Sequence, residues 1–351
     1  MRKLKVGYWP LSADLNSPGD RRRLVNWANT RGHTLTTDLS QKLDVVVASE
    51  NSDLNSAIFD SIAAPIVYDL VDAYLSPRSP QEDLARGLAK RLTRQISGKV
   101  RPYSEHVKNF CMTSDAVICS SIEQEALIRP YNSNSHVILD SHAEIPFLAP
   151  RLMSTERDKN HHILWEGQPA TIRGVRFVLP EIASKVTEKD LIFNFVTDEV
   201  YFKLMNRFIE RNTLNLLRKE LSSLPLQIRV IPWSTHNLQH TALISSAAII
   251  PIDLSVPIQR LKPENRLLIM WRLGLPCFTS NSLAYVRVAN EAGVDAVCET
   301  AEDWNHKLTR ILSDPKFALE EVYRGQDYLN SHHNESKLLR KWDLAIESVL
   351  H

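Results

Sequence analysis

Short, continuous apolar runs alternate with amphipathic stretches along the whole sequence. KLKVGYW (3–9), LDVVVAS (43–49), APIVYDL (64–70), DAVICSS (115–121) and HVILD (136–140) hold apolar residues over strand-like lengths. Such runs mark strands covered on both faces. Between them, helical spacing predicts one helix opening near Asp20 and ending near Gly32, and another around 82–97. The second half repeats the alternation, with HILWEG (162–167), LIFNFV (191–196), QIRVIP (227–232), AAIIPI (247–252), PCFTS (276–280) and VDAVCE (294–299) as strands. Strands separated by helices predict an α/β protein with parallel sheets and helices on both faces.

The two halves meet in SHAEIPFLAPRLMSTERDKNHH (141–162), which has two prolines, mixed charge and no clear period. The expected organisation is therefore an N-terminal parallel α/β domain (1–145), a linker (146–162), a C-terminal parallel α/β domain (163–331) and a final helix (332–351). In that helix Leu338, Leu339, Trp342, Ile346 and Leu350 recur at helical spacing, so it should pack back toward the N-terminal domain.

Composition narrows the partners. The 351 residues are 43% hydrophobic and 24% charged with a net charge of +1, so an anion site must be local rather than a property of the whole chain. Cys111, Cys119, Cys277 and Cys298 are far apart and form no CxxC pair, which fits reduced core thiols and a cytoplasmic location. The N-terminal MRKLKVGYW runs straight into a strand without a secretory apolar region. The longest apolar window, TALISSAAIIPI (241–252), is too short to span a bilayer. His236 and His240 share a helical face without a third ligand. With no zinc pattern, Walker loop, GxGxxG or basic-aromatic array, neither a resident metal or cofactor nor nucleic-acid binding is expected.

In open parallel sheets, ligands sit beyond the carboxyl ends of the strands, and two facing sheets would frame a cleft. Several residues fall at such ends. In RLKPENRLLIMWRLGLPCFTS (260–280), Pro263 suits a first helical position, and the N–H groups of Glu264, Asn265 and Arg266 would then be free. Lys262 and Arg266 add positive charge beside that helix start, the combination that holds a phosphate. Gly274 and Pro276 end the helix. Spacing alone leaves a capped core helix with a solvated charged turn ahead of an anion site.

Asp69 and Asp72 in VYDLVDAY end a buried strand, placed either as a catalytic acid or base or as turn and cap aspartates. Gly19, Asp20 and Arg21 lie in the loop after the first strand, with Asp20 as an N-cap and Arg21 to Arg23 as candidates to face a ligand. Residues 84–108 hold seven Lys or Arg and one Glu, with Arg86, Lys90 and Arg94 on one helical face and Leu84, Leu88 and Leu92 on another. That helix either packs on its domain or lies on anionic lipid.

The run IIPIDLSVPIQRLKPENRLLIMWRLGLPCFTS (249–280) resembles the donor-binding half of GT-B glycosyltransferases, in the broad group that includes many cell-surface polysaccharide enzymes. Their frame, roughly K-x-x-N-R-x-x-E-A-x-x-x-G-x-P, is kept at Lys262, Asn265, Arg266, Gly274 and Pro276. ILWEGQPATIRGVRFVLPEI (163–182) is similar to the first strand and loop of that domain, where G-R-x(4–5)-K-G grips the donor diphosphate. Arg173 and Gly174 match the second cation and its glycine, while Gln168 stands at the first. SDAVICSSIEQEALIRPY (114–131), IVYDLVDAYL (66–75) and NSPGDRRR (16–23) resemble parts of the acceptor half.

The resemblance implies two Rossmann-like domains and transfer of a sugar from a nucleotide-diphosphate sugar to a hydroxyl of a glycan or lipid-linked glycan, without a metal. Arg173, Lys262, Glu264, Asn265 and Arg266 would bind the donor, Asp72 or Asp69 would act as acid or base, and Gly19, Asp20 and Arg21 would line the cleft. Residues 84–108 would touch the inner membrane face. The two glutamates that many retaining members carry eight residues apart are Leu261 and Ile269 here, and the usual N-G-V-D is Asp140-Ser141-His142-Ala143. Those departures support the alternative of a non-catalytic GT-B protein that binds a nucleotide sugar or a partner enzyme. A nucleotide-sugar epimerase is a third reading.

Overall fold

The computed structural model describes residues 2–53, 55–151, 160–185, 190–203, 209–221, 224 and 226–350. Residues 152–159 of the expected linker lie outside the described residues. The chain divides into an N-terminal unit (1–143, 261–263 and 334–351) and a C-terminal unit (144–260 and 264–333).

The N-terminal unit is built on β1 (Lys5–Trp9), β2 (Thr34–Thr36), β3 (Val45–Ser49), β4 (Ile66–Leu70), β5 (Ala116–Cys119) and β6 (Ser135–Val137), in the order β2-β1-β3-β4-β5-β6. Every neighbouring pair is parallel. Alternation decides the layers: Val45 and Val47 face a core with Leu24 and Trp27, while Val46 and Ala48 face another with Tyr103, Val107 and Phe110. The final helix, Glu335–Glu347, packs into the first of these cores through Leu339, Trp342, Ala345 and Ile346, as its spacing predicts. Asp343 fixes it there by accepting from the Trp27 indole N–H (2.9 Å) and pairing with Arg31 (2.6 Å).

In the C-terminal unit, β7 (Asn160–Glu166), β8 (Asp190–Thr197), β11 (Gln227–Pro232), β12 (Ser245–Ile250), β13 (Cys277–Ser280) and β14 (Val297–Cys298) form a second parallel sheet. Its order is β11-β8-β7-β12-β13-β14. An antiparallel pair, β9 (Val200–Lys203) and β10 (Ile209–Asn212), stands apart from it. In both sheets the strand order reverses beside the first strand of the unit, between β1 and β3 and between β7 and β12. Those reversals open the crevices in which such sheets bind ligands.

Several local expectations are corrected. Asp20 is not an N-cap: it lies within the one-turn helix Pro18–Arg21, and the next helix, Leu24–Arg31, starts after Arg23 without a side-chain cap. Pro263 does not open its helix, which runs Asn265–Arg272 with Glu264 at the cap. Gly274 (φ 70°) does supply the left-handed residue that ends it. The helix expected at 82–97 is Pro80–Leu92, capped by the Ser79 side chain, and β2, β9 and β10 had no counterpart among the expected strands.

Candidate functional site

In the N-terminal unit the two candidate aspartates separate by two residues of chain and by environment. Asp69 faces the same core as Val67, where both its oxygens meet Arg23: Nη2 donates at 2.6 Å and Nε at 2.9 and 3.2 Å. Arg23 Nη1 adds the Ile138 carbonyl (2.7 Å) and Asp140 (3.2 Å). Burial pulls the Arg23 guanidinium down, but Asp69 and then Asp140 more than offset it and keep the group charged. Asp20 is also fully buried: Oδ1 accepts from the Tyr8 hydroxyl (2.6 Å) and the Leu11 N–H (2.8 Å), Oδ2 from the Ser12 N–H (2.9 Å) and hydroxyl (2.7 Å). It ties the loop after β1 together. Gly19 packs on Leu11, and Arg21 donates to the Asn16 carbonyl at 2.6 Å.

Asp72 is half-buried just past the end of β4, and its Oδ1 lies 2.5 Å from Lys262 Nζ. Burial lowers the Lys262 ammonium, yet Asp72 and beyond it Glu50 hold it above its ordinary value. Glu50, the residue after β3, accepts the Asp72 N–H at 2.8 Å. Its carboxyl is pushed up to about 8, first by burial and next by the charge of Asp72, against Lys262 and Lys90. Asp72, paired with a lysine, thus adjoins a carboxyl that keeps its proton near neutrality, at the carboxyl ends of adjacent strands.

In the C-terminal unit, Glu166 ends β7 at the strand-order reversal. Its Oε1 accepts the indole N–H of Trp233, the first residue after β11, at 3.1 Å. Arg266 lies over the same loop: Nη2 donates to the Glu166 carbonyl, Nε stands 3.6 Å from Glu166 Oε2, and the guanidinium carbon is 5.1 Å from the Trp165 ring centre. A Cβ at Gly167 would come within 3.1 Å of that guanidinium carbon, so a glycine is what admits the arginine. Asn265 carries a buried Oδ1 without a hydrogen-bond partner, whereas Glu264 turns into the unit to pair with Arg287 (3.2 Å).

Arg173 projects into solvent from the 3-10 helix Pro169–Phe177. Next to it, a Cβ on Gly174 would sit 2.4 Å from the Pro251 carbonyl oxygen, so this helix closes directly onto the loop after β12. Beside that contact is a cavity of about 310 Å3, lined among others by Gly174, Phe177, Asp253, Ser280, Thr300 and Trp304, at the carboxyl ends of β12, β13 and β14.

Of the expected donor residues, Arg266 therefore meets the β7 loop, Asn265 keeps its buried Oδ1 unpaired, Arg173 stands next to Gly174 of the cavity wall, and Glu264 and Lys262 have other partners. Glu50, Glu166 and Trp233 escaped the sequence reading, although each stands at the carboxyl end of a strand already recognised. Among the described residues, no group of three or more His, Cys, Asp or Glu side chains converges as a metal site, and no helix is long and apolar enough to cross a membrane.

No family model matches the sequence, and no curated protein resembles it by sequence. Solved structures do resemble it in three dimensions. A TarM variant of S. aureus in complex with fondaparinux, α-GlcNAc-glycerol and UDP aligns with a TM-score of 0.56 at 8% identity, over 86% of this chain and 55% of that one. WaaG, a glycosyltransferase involved in lipopolysaccharide biosynthesis, aligns at 0.56 and 11% identity over 98% of this chain and 99% of its own. A glycosyltransferase from Rickettsia africae ESF-5 aligns at 0.59 and 13% identity, over 99% of each chain. The chain thus spans just over half the length of TarM and nearly all of the other two. These likenesses show the GT-B fold, with which the two parallel six-stranded sheets are consistent.

Proposed function

We propose that the protein is a glycosyltransferase that moves a sugar from a nucleotide-diphosphate donor to a hydroxyl of a glycan or lipid-linked glycan. The observation that carries this reading is the Glu166–Arg266–Trp233 arrangement at the strand-order reversal of the C-terminal unit. A guanidinium oriented by a carboxylate and a ring face is preorganised for an anion, and Arg173 and the start of the 265–272 helix add donors for the same phosphates. The cavity beside Gly174 would take a ring of the donor.

In this reading Asp72 accepts the proton of the acceptor hydroxyl as its oxygen bonds to the anomeric carbon. The bond from that carbon to the diphosphate breaks, and the leaving oxygen keeps the electron pair. Arg266 and Arg173 stabilise the charge that builds there, so the chemistry needs no metal. Lys262 holds Asp72 in place through the 2.5 Å ion pair, and Asp69 is assigned to the fold through Arg23.

Thermal-shift measurements with UDP, GDP and their sugars test the donor half. Stabilisation by a nucleoside diphosphate that is lost in Arg266→Ala is the expected result, and no shift with any nucleotide refutes the reading. A non-catalytic GT-B binder is the second reading, favoured by Ile269, which is buried in the core where many relatives place a glutamate. It predicts the nucleotide shift without any release of nucleotide from a donor sugar across a panel of glycan and lipid-linked acceptors.

Membrane contact belongs to the same proposal. On the Pro80–Leu92 helix, Leu84, Leu88 and Leu92 are 46%, 44% and 73% exposed, while Asp83, Gly87 and Lys90 are the buried face. An outward leucine stripe flanked by exposed Arg91, Arg94, Lys99 and Arg101 is complementary to an anionic bilayer surface.

A further inference from the structure

The inward side of the same helix holds a second group of cations in the N-terminal unit. Arg86 and Lys90 come from the helix, and Arg78 stands just ahead of its cap Ser79. All three surround one ring: the guanidinium carbons of Arg78 and Arg86 lie 5.7 and 5.4 Å from the Tyr74 centroid, and Lys90 Nζ lies 5.9 Å from it. Attraction to a ring face is weak and does not neutralise three like charges. Lys90 has other partners, since its Nζ donates to Gln95 Oε1 (3.1 Å) and sits 4.6 Å from the Tyr103 ring centre.

Arg78 does not. Its Nη1 and Nη2 are both closed off from solvent and meet no hydrogen-bond partner. Burial first, and Arg86 next, lower its pKa, with Asp83 pulling the other way. The carboxylates within reach of the group are committed: Asp83 accepts the Ser104 N–H (3.1 Å) and hydroxyl, and Asp72 holds Lys262. A guanidinium whose two terminal nitrogens are out of solvent and unpaired carries a desolvation penalty that an anion with matching oxygens would remove.

We propose that Arg78 and Arg86, set against Tyr74, form a phosphate-binding site in the N-terminal unit that takes the phosphate of a phosphorylated acceptor. Two guanidinium groups around one ring, close enough for Arg86 to lower the pKa of Arg78, suit a tetrahedral anion with several free oxygens better than a carboxylate with two. The proposal deepens the glycosyltransferase reading by naming the acceptor class; the binding event itself stands without it. A lipid phosphate and a soluble phosphate ester share this chemistry.

The test is calorimetric titration of the full chain carrying Arg266→Ala, so that the proposed donor clamp is absent. The probes are inorganic phosphate, monomeric dihexanoyl phosphatidic acid and the uncharged octyl glucoside. Both phosphates should bind, octyl glucoside should not, and adding Arg78→Gln or Arg86→Gln should weaken phosphate binding about tenfold or more. Tighter binding of phosphatidic acid than of inorganic phosphate assigns the site to a lipid phosphate; equal binding assigns it to a soluble ester. Absence of phosphate binding, or an affinity unchanged by both substitutions, overturns the proposal. Should Arg78→Gln fail to fold, Arg86→Gln decides the matter. Phosphate binding that depends on Arg78, together with no nucleotide shift in the chain that keeps Arg266, removes the donor reading and leaves this site intact. A UDP shift without phosphate binding does the reverse.

Discussion

Replacing Asp69 by asparagine separates a carboxylate that serves the fold from one that serves chemistry. The Arg23 side chain is 0% exposed and that of Asp69 2%, and three contacts between 2.6 and 3.2 Å join them. Removing one partner of a buried pair leaves an uncompensated charge and costs about 3–5 kcal/mol. Here Asp140 at 3.2 Å and the Ile138 carbonyl at 2.7 Å remain on the guanidinium. The expected loss is therefore at the lower end, about 3 kcal/mol. It should fall on the N-terminal unit, so the assay is native-state hydrogen exchange of peptides covering β1 and β4, with β7 and β12 as internal controls. The double variant Arg23→Met with Asp69→Leu should recover most of the loss, because it removes both charges together. Exchange in β1 and β4 within about 0.5 kcal/mol of the parent, with turnover abolished, would refute the assignment and return Asp69 to catalysis.

Two further outcomes follow from the same geometry. Glu50 is protonated in the folded state up to about pH 8, whereas an unfolded glutamate ionises near 4.3. Between those values the folded state binds more protons, so stability falls as pH rises through that window and levels off above it. Glu50→Gln should flatten that slope in thermal unfolding from pH 5 to 8.5, and an unchanged slope would assign it to other groups. Leu88→Glu, at a 44% exposed position, should leave the unfolding midpoint within about 2 °C and cut sedimentation with phosphatidylglycerol vesicles about tenfold; vesicle binding equal to the parent's would rule out the leucine stripe as the docking face.

The sheets were legible because their strands are buried on both faces. VVVAS and AAII read as strands in any window, and their positions fixed the carboxyl ends where Glu50 and the Pro251–Ser255 loop lie. The strand order was not legible, since parallel neighbours need not be consecutive in sequence. Without the order, nothing in HILWEG and QIRVIPW says that Glu166 and Trp233 lie within 3.1 Å of each other. The Pro80–Leu92 helix shows a different limit. Periodicity separated the leucines from Arg86 and Lys90, although Arg94 falls beyond the helix end at φ 58°, and the usual assumption that apolar faces turn inward would bury the wrong side. Its inward face is Asp83, Gly87 and Lys90, held by side chains from the loops after β3 and β4 and from the Tyr103–Thr113 helix, which no local pattern reveals.

The cluster at 262–266 shows why adjacency in sequence overstates a site. Residues one and two apart on a helix start point in different directions, so a run of polar side chains there disperses rather than converges. Glu264 turns inward to Arg287, and Arg266 crosses to the β7 loop and Glu166. Lys262, ahead of the helix, belongs with the N-terminal unit and pairs with Asp72. One sequence motif therefore reaches two places: a guanidinium held against the β7 loop, and an ammonium paired with Asp72. It follows that Arg266→Ala and Lys262→Ala should differ in kind. The first should weaken nucleotide binding. The second should leave the nucleotide thermal shift in place while lowering kcat, because it removes the ion-pair partner that positions Asp72 rather than the grip on a phosphate. Equal losses of nucleotide affinity in both variants would put the two cations back into a single clamp.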